Sequence, residues 1–255
     1  MAARNRKNRN SPTMIEIYRD TRFYFSNFDP NKLPPTQVYT FSTLPSIPSR
    51  DDRECPVKVV NADTLDVAAE FARQGLKTMV LNMASAVSPG GGVASGKTAQ
   101  EECLFRRSNA FLTHPAHLYP ISAESCLYSP EILVIKDSEY NRMKSKDFFQ
   151  VSMLTLPAVR KPRRKGSSYM YEKDRLAMQE RIDAIFKIGI IQGAQVLILG
   201  AFGCGVYDNP QNEVIAMFQQ CLTKYRAYFE SIIFAVLAVG PNGTENYEKF
   251  SAELN

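Results

Sequence analysis

The chain reads as an α/β protein whose sheet is covered by helices on both faces. Three observations predict this. Apolar runs of strand length recur at 57–62, 77–83, 131–136, 148–156, 195–199 and 231–238. Helical stretches with caps or an amphipathic pattern alternate with them. Glycine-rich loops stand where a strand hands over to a helix. With 255 residues, 44% of them hydrophobic, the chain is long enough to bury one large core or two small ones.

Residues 1–11 read as a polar, basic, disordered arm, and Ser11-Pro12 as an N-cap with proline in the first helical position, opening a helix through Tyr24. Residues 26–53 contain Pro30, Pro34, Pro35, Pro45 and Pro48, so they predict an extended wrap with one short strand near Val38 to Phe41. From Pro56 the pattern becomes regular. Strand 57–62, helix 64–74 stopped by Gly75, and strand 77–83 form a βαβ unit. A helix to about Leu112 follows the first glycine loop, then strands 131–136 and 148–156. A long helix over 172–191 carries Leu176, Ile182, Ile185 and Phe186 on its apolar side. Strand 195–199, a helix over 209–229 opened by Asn209-Pro210, and a buried strand 231–238 complete the pattern. The division predicted is an arm (1–11), an extension packed on the core (12–55) and a single globular unit (56–255).

Composition narrows the function classes. No apolar run approaches the roughly 20 residues that span a bilayer, and no apolar signal segment follows the basic N-terminus. The expectation is a soluble intracellular protein. Five cysteines (Cys55, Cys103, Cys126, Cys204, Cys221) form no C-x-x-C pair and no disulfide framework, and with only His114 and His117 a zinc site has little to work with. The two histidines, spaced around Pro115, read as loop residues. The net charge of +5 is patchy, in the arm, at Arg106-Arg107 and at 161–165, which suits a polyanionic partner as well as it suits solvated loops.

The first glycine loop, Pro89-Gly90-Gly91-Gly92, is followed after seven residues by Gln100-Glu101-Glu102. Three glycines strip the loop of Cβ atoms, so a ligand can lie against main-chain N–H groups. Residues 91–98 also fit G-x-x-x-x-G-K-T, the phosphate loop of nucleoside triphosphatases, with Ile132 to Asp137 imitating a metal-binding strand. That loop should begin directly at a strand end, whereas the run ending at Met83 stops about seven residues early. The second loop, 200–207, holds Gly200, Gly203 and Gly205 between a strand and a helix start. Two such loops at the carboxyl ends of strands could grip a diphosphate with N–H donors and helix dipoles.

Thr98 and Glu101 fit a capping box, which gives Glu101 a structural role and leaves Glu102 without one. One residue further, Glu102 is rotated by about 100° on the helix, so the two carboxylates should not face each other. A single carboxyl acting first as acid and then as base fits this better than the paired acids of common glycosidases. Cys204 is preferred as small-residue packing over a nucleophile, because no histidine is placed to activate it. Asp63 is a candidate adenine contact or an N-cap.

These residues resemble the bacterial-type (microbial) poly(ADP-ribose) glycohydrolases of the macrodomain fold. The resemblance spans about 57–238. It rests on Leu81-Asn82-Met83-Ala84-Ser85-Ala86 running into Pro89-Gly90-Gly91-Gly92-Val93, on Ala99-Gln100-Glu101-Glu102 with Leu104, Arg106, Arg107 and Ser108, on 199–206, and on Asn209-Pro210. It implies a three-layer α/β/α fold with a central mixed sheet, and hydrolysis of ribose–ribose O-glycosidic bonds, mainly at chain ends, without metal or cofactor. Glu102 would be the acid/base and Glu101 would hold ribose hydroxyls. Asn82, Ser85, Gly90, Gly91, Gly92, Val93 and Gln100 would orient the terminal ribose and diphosphate. Gly203, Cys204, Gly205 and Val206 would close over the phosphates, with Tyr207 packing on the ribose. Ser85 and Ser88 depart from the wider macrodomain pattern, which often has asparagine there. The implied partners are poly(ADP-ribose), ADP-ribose and ADP-ribosylated proteins, with neither membrane nor nucleic-acid readout, for a monomer in cytoplasm or nucleus. A non-catalytic ADP-ribose reader and a phosphate-loop NTPase remain as alternatives.

Overall fold

The structure, a computed structural model, describes residues 12–255. The basic arm and Ser11 lie outside the described residues. The cap of the first helix, α1 (Met14–Tyr24), is Thr13 in a capping box with Glu16. The proline-rich wrap contributes β1 (Gln37–Thr40). Then come β2 (Val57–Val60), α2 (Thr64–Ala72), β3 (Thr78–Met83), α3 (Gln100–Arg107), α4 (Ala110–Thr113), β4 (Ser125–Val134) and β5 (Phe149–Leu156). A two-strand hairpin, β6 (Arg164–Lys165) and β7 (Ser168–Tyr169), precedes α5 (Glu172–Ile191), β8 (Val196–Leu199), α6 (Gln211–Tyr225), β9 (Ser231–Ala235) and α7 (Gly240–Leu254).

Seven strands form one sheet in the order β1-β4-β5-β3-β8-β9-β2. The run from β5 to β2 is parallel, and β4 and β1 join it antiparallel. Successive side chains of a strand point to opposite faces. Met79 and Leu81 accordingly enter the core beneath α5 and α6, with Phe186, Phe218 and Phe234. Val80 enters the opposite core, with Leu65, Leu104, Phe105 and Ile198 beneath α2 and α3. This is the three-layer mixed-sheet architecture expected. Among the described residues no helix is long and apolar enough to cross a membrane.

Several local expectations change. The strands of the predicted βαβ unit are not neighbours, because β8 and β9 lie between β2 and β3. The helix after the glycine loop breaks at Ser108, which is extended and bridges to Val134. Strand β4 begins at Ser125, ahead of the apolar run that marked it, with an irregularity between Ser129 and Ile132. Leu176 is exposed, and Met178 takes the buried position on α5. Helix α6 opens at Gln211 and ends at Tyr225, β9 ends at Ala235, and α7 was not legible beforehand.

The N-terminal segment is tied into the core. Lys136, almost wholly buried, forms an ion pair with Asp20 of α1 at 2.9 Å. Its ammonium also donates to the Ile17 carbonyl at 2.9 Å. At the other edge of the sheet the Asn255 side chain accepts the Val59 N–H at 2.7 Å.

Candidate active site

The two glycine-rich loops leave the carboxyl ends of β3 and β8, neighbouring parallel strands at the sheet centre. Helix α3 begins beside the first loop. Its N-cap is Ala99, which makes no side-chain capping bond, so the capping box read at Thr98 and Glu101 does not form. The Glu101 carboxylate instead reaches the strand end, where Oε2 accepts the Ser85 N–H at 2.7 Å and Oε1 faces Asn82 Nδ2 at 3.5 Å. Glu102 Oε1 accepts the Gly92 N–H at 2.8 Å, while its Oε2 is buried with no hydrogen-bond partner among the described residues.

Adjacent positions on a helix diverge, yet the two carboxylates converge on Gly91. Its φ is +57°, and a methyl group added there would lie 2.7 Å from Glu102 Oε1 and 2.9 Å from Glu101 Oε2. The expectation that the two acids do not face a common point is thus corrected: side-chain torsions undo the helical rotation. Gly90, with φ +71°, lies over the Phe105 ring, which an added methyl would meet at 2.6 Å. Burial raises the Glu101 carboxyl to about 8, with the Glu102 charge adding to the rise and the Ser85, Asn82 and Gly90 donors opposing it. A carboxyl that titrates near neutrality beside a second carboxylate is a common feature of acid–base sites.

The other residues read from the sequence divide into groups. Asn82 is fully buried beneath Glu101. Ser85 Oγ accepts the N–H groups of Val87 and Ser88, shaping the turn. Gln100 is spent on the strand: its Oε1 accepts the Met83 N–H at 2.9 Å and its Nε2 donates to the Leu81 carbonyl at 2.7 Å. It braces β3 against α3, and both ends of its amide are committed to that strand. Val93 is buried, anchoring the loop in the core.

In the second loop, close packing accounts for Gly203, where a methyl would meet Asn209 Nδ2 at 2.7 Å and Ala158 Cβ at 2.9 Å. Gly205 faces open space and Val206 is exposed. Cys204 is buried, and burial pushes its thiol up to about 12, which matches a packing residue and not a nucleophile. Tyr207 bridges the two loops by donating its hydroxyl to the Ala84 carbonyl at 3.3 Å. The basic hairpin of β6 and β7 is fastened to this loop, through Lys161 N–H to the Tyr207 carbonyl at 2.9 Å and Arg164 to Asp208 at 2.8 Å.

Three further readings remain. Lys97 lays its aliphatic stem on Gly92. Asp137 accepts the N–H groups of Glu139 and Asn141. Neither arrangement is that of a phosphate loop with its metal strand, and the NTPase alternative falls. Asp63 caps α2 through the Leu65 and Asp66 N–H groups and pairs with Arg107, which bears out the N-cap reading and leaves the adenine contact open. His114 follows the last residue of α4 as a loop residue, in keeping with the sequence reading. It is buried and edge-on to Phe105, and burial lowers it to about 4.

Sequence reasoning missed Tyr119, whose hydroxyl is buried without a partner. Burial, and then the Glu101 charge, push that phenol upward. It also missed Thr155, which lies level with Asn82 on β5. Neither sits in a motif, and only strand pairing brings Thr155 to the site.

A macrodomain-type α/β fold with two carboxylates converging on a glycine loop is the class that this geometry defines. Residues 14–137 match the family model described as microbial-type PARG, catalytic domain, where PARG is poly(ADP-ribose) glycohydrolase. Over that segment the resemblance to the microbial-type enzymes holds. Among solved structures, the chain is similar to poly(ADP-ribose) glycohydrolase from Thermomonospora curvata, at 24% identity and TM-score 0.81 over 94% of this chain and 98% of that one. It is similar to the same enzyme bound to the inhibitor ADP-HPD, at 24% identity, TM-score 0.79 and the same 94% and 98% coverage. The Deinococcus radiodurans enzyme in complex with ADP-ribose matches at 25% identity and TM-score 0.70, over 86% of this chain and 93% of that one. Comparison with curated proteins gives no match.

Proposed function

We propose that this chain is a poly(ADP-ribose) glycohydrolase, hydrolysing ribose–ribose O-glycosidic bonds from chain ends and releasing ADP-ribose. The observation that carries the reading is the convergence of buried Glu101 and Glu102 on the bare Gly91 backbone, with one Glu102 oxygen unpaired. The match of residues 14–137 to the microbial-type catalytic domain supports it, as do fold relatives solved with ADP-ribose and ADP-HPD.

In this mechanism Glu102 gives its proton to the leaving ribose oxygen as the glycosidic bond breaks. The anomeric carbon takes on oxocarbenium character, and the resulting carboxylate removes a proton from the water that attacks it. Hydroxyl and proton are thereby added across the cleaved bond, and the proton that Glu102 delivered is replaced by the one taken from water. Glu101 holds ribose hydroxyls. The first loop gives its Gly92 N–H to Glu102 and its Gly91 N–H to the Ser88 carbonyl, so the diphosphate falls to the N–H groups of Gly203, Gly205 and Val206, and its charge stabilises the developing cation. Residues 56–255 act as the catalytic domain with 12–55 as its extension, in a monomer acting on ADP-ribosylated proteins. Its five free cysteines suit the reducing interior of a cell.

The test is release of ADP-ribose from defined polymer by wild type and by Glu102→Gln, with and without chelator. The expected outcome is a loss of about 10²–10⁴-fold in turnover, the range for a positioned acid–base group, with ADP-ribose binding retained and chelator without effect. Equal turnover by the variant would overturn the assignment, and binding of polymer by wild type without release would make the chain a reader.

A further inference from the structure

Beneath Glu101 runs a line of buried polar side chains drawn from three elements. His114 Nδ1 lies 2.8 Å from the Ala110 carbonyl, His114 Nε2 lies 2.7 Å from Thr155 Oγ1, and Asn82 Nδ2 lies 3.3 Å from Thr155 Oγ1 and 3.5 Å from Glu101 Oε1. Asn82, Thr155 and His114 are all buried, and Asn82 and Thr155 are cross-strand partners of β3 and β5.

The direction of every bond in this line follows from its far end. His114 Nδ1 meets the Ala110 carbonyl and the Thr113 hydroxyl, which lies at 3.0 Å and gives its own hydrogen to that same carbonyl; a carbonyl can only accept, so Nδ1 carries the proton and, in the neutral ring, Nε2 is an acceptor. Burial holds that ring neutral, with its protonation lowered to about 4. Thr155 must then donate its hydroxyl hydrogen to Nε2, which leaves an oxygen lone pair for the Asn82 amide. Asn82 consequently turns its NH₂ toward both Thr155 and Glu101, and its Oδ1 is left buried without a donor. An unpaired buried carbonyl oxygen is costly, and flipping the amide would set Oδ1 against Thr155 Oγ1, whose hydrogen is already given to His114.

We infer that Asn82, Thr155 and His114 form a one-way hydrogen-bond strut that commits Glu101 Oε1 to accepting from Asn82 and leaves Oε2, which takes the Ser85 N–H on one side and borders Gly91 on the other, as the ligand-facing oxygen. These are positioning residues. The inference deepens the glycohydrolase reading, since Glu101 is the group proposed to hold ribose hydroxyls, but the strut itself is visible without ligand. Valine at 155 keeps nearly the shape of threonine and removes only the hydroxyl, so that substitution separates the bond from the packing. The titratable side chains acting on Glu101 from surrounding elements are Glu102 of α3 and, by their own upward shifts, Tyr119 ahead of β4 and Tyr207 after β8. No charged side chain shifts His114: burial lowers it and the Ala110 carbonyl opposes this, while the Thr113 and Thr155 hydroxyls are its neutral partners.

The experiment compares wild type with Thr155→Val, Thr155→Ser and His114→Phe. The Glu101 carboxyl is titrated in ligand-free protein by ¹³C NMR of glutamate side-chain carbons, assigned with Glu101→Gln, and ADP-ribose affinity is measured alongside. Without the strut Asn82 is free to turn away, the carboxylate loses a donor, and its titration moves to higher pH. A charge-assisted bond lost in a buried site corresponds to a shift of about one pH unit and about tenfold weaker ADP-ribose binding. Thr155→Val and His114→Phe should both show this, and Thr155→Ser, which keeps the hydroxyl, should recover most of it. Unchanged Glu101 titration in both hydroxyl-line variants overturns the strut. Equal disturbance by Thr155→Val and Thr155→Ser also overturns it, by assigning the effect to packing. If wild type fails to bind ADP-ribose, the proposed function fails while the NMR titration still decides the strut.

Discussion

At Gly91 the decisive property is an absent methyl. Alanine there has to adopt φ near +57°, at a cost of about 1–2 kcal/mol, and its methyl enters the space between the two carboxylates. Gly91→Ala should fold, with a small loss of stability, and should lose turnover and ADP-ribose binding by about tenfold or more each, as a misplacement of about an ångström does in other sites; calorimetric titration with ADP-ribose checks the second. Glu101 gives a pH signature. Its folded-state titration is raised from 4.5 to about 8, so the stability it contributes is complete below pH 4.5 and is lost as pH rises to 8. Glu101→Gln cannot ionise and escapes that loss, so urea unfolding of the pair across this window should show the variant gaining on wild type as pH rises. The same residue shows where sequence reading runs short. A glutamate three positions after a threonine satisfies the capping pattern, but the amide that holds it belongs to Ser85, and nothing in local spacing reports a partner brought in by a strand end.

Among the elements, those with a long apolar period were legible almost to their ends. Helix α5 spans the predicted 172–191, and β3 and β5 begin one residue late. What could not be read depended on tertiary pairing. Strand β4 extends back to Ser125 because β1 and β5 pair with it there, not because 125–130 is apolar enough to announce a strand. Helix α7 opens with Gly240-Pro241-Asn242-Gly243, residues that signal a turn, and it is held by Phe250 and Leu254 entering the core. The anchoring of α1 shows the same dependence. Asp20→Asn would leave the buried Lys136 ammonium facing only the Ile17 carbonyl. Because Asp20 is about half exposed, the cost should fall below the 3–5 kcal/mol of a fully buried pair, at about 2 kcal/mol. Lys136→Met, which removes the charge outright, should cost less; denaturant midpoints of the two variants give the comparison.

Across the whole molecule, the candidate site forms where three separately readable motifs meet: the first glycine loop, the Gln-Glu-Glu helix start and the second loop, all at the sheet centre. Their assembly was foreseeable from the rule that ligands meet α/β sheets at strand carboxyl ends. The layer beneath them, Thr155 and His114, was not. The cysteines test the packing of the molecule as a whole. Burial raises Cys55 to about 11 and Cys126, Cys204 and Cys221 to about 12, and pushes Cys103 up as well. Native protein at pH 7.5 should therefore label slowly with maleimide at all five positions, and denatured protein rapidly; mass spectrometry after a short pulse counts the adducts. The two borders of the sheet have a consequence of another kind. One is a strand of only four residues, whose Gln37 and Tyr39 side chains meet Gln192 on one face, and the other has the Val59 amide covered by Asn255. A sheet guarded in this way offers few free rungs to a neighbour's strand. Copies of this chain can therefore stand at high local concentration without adding to one another's sheets.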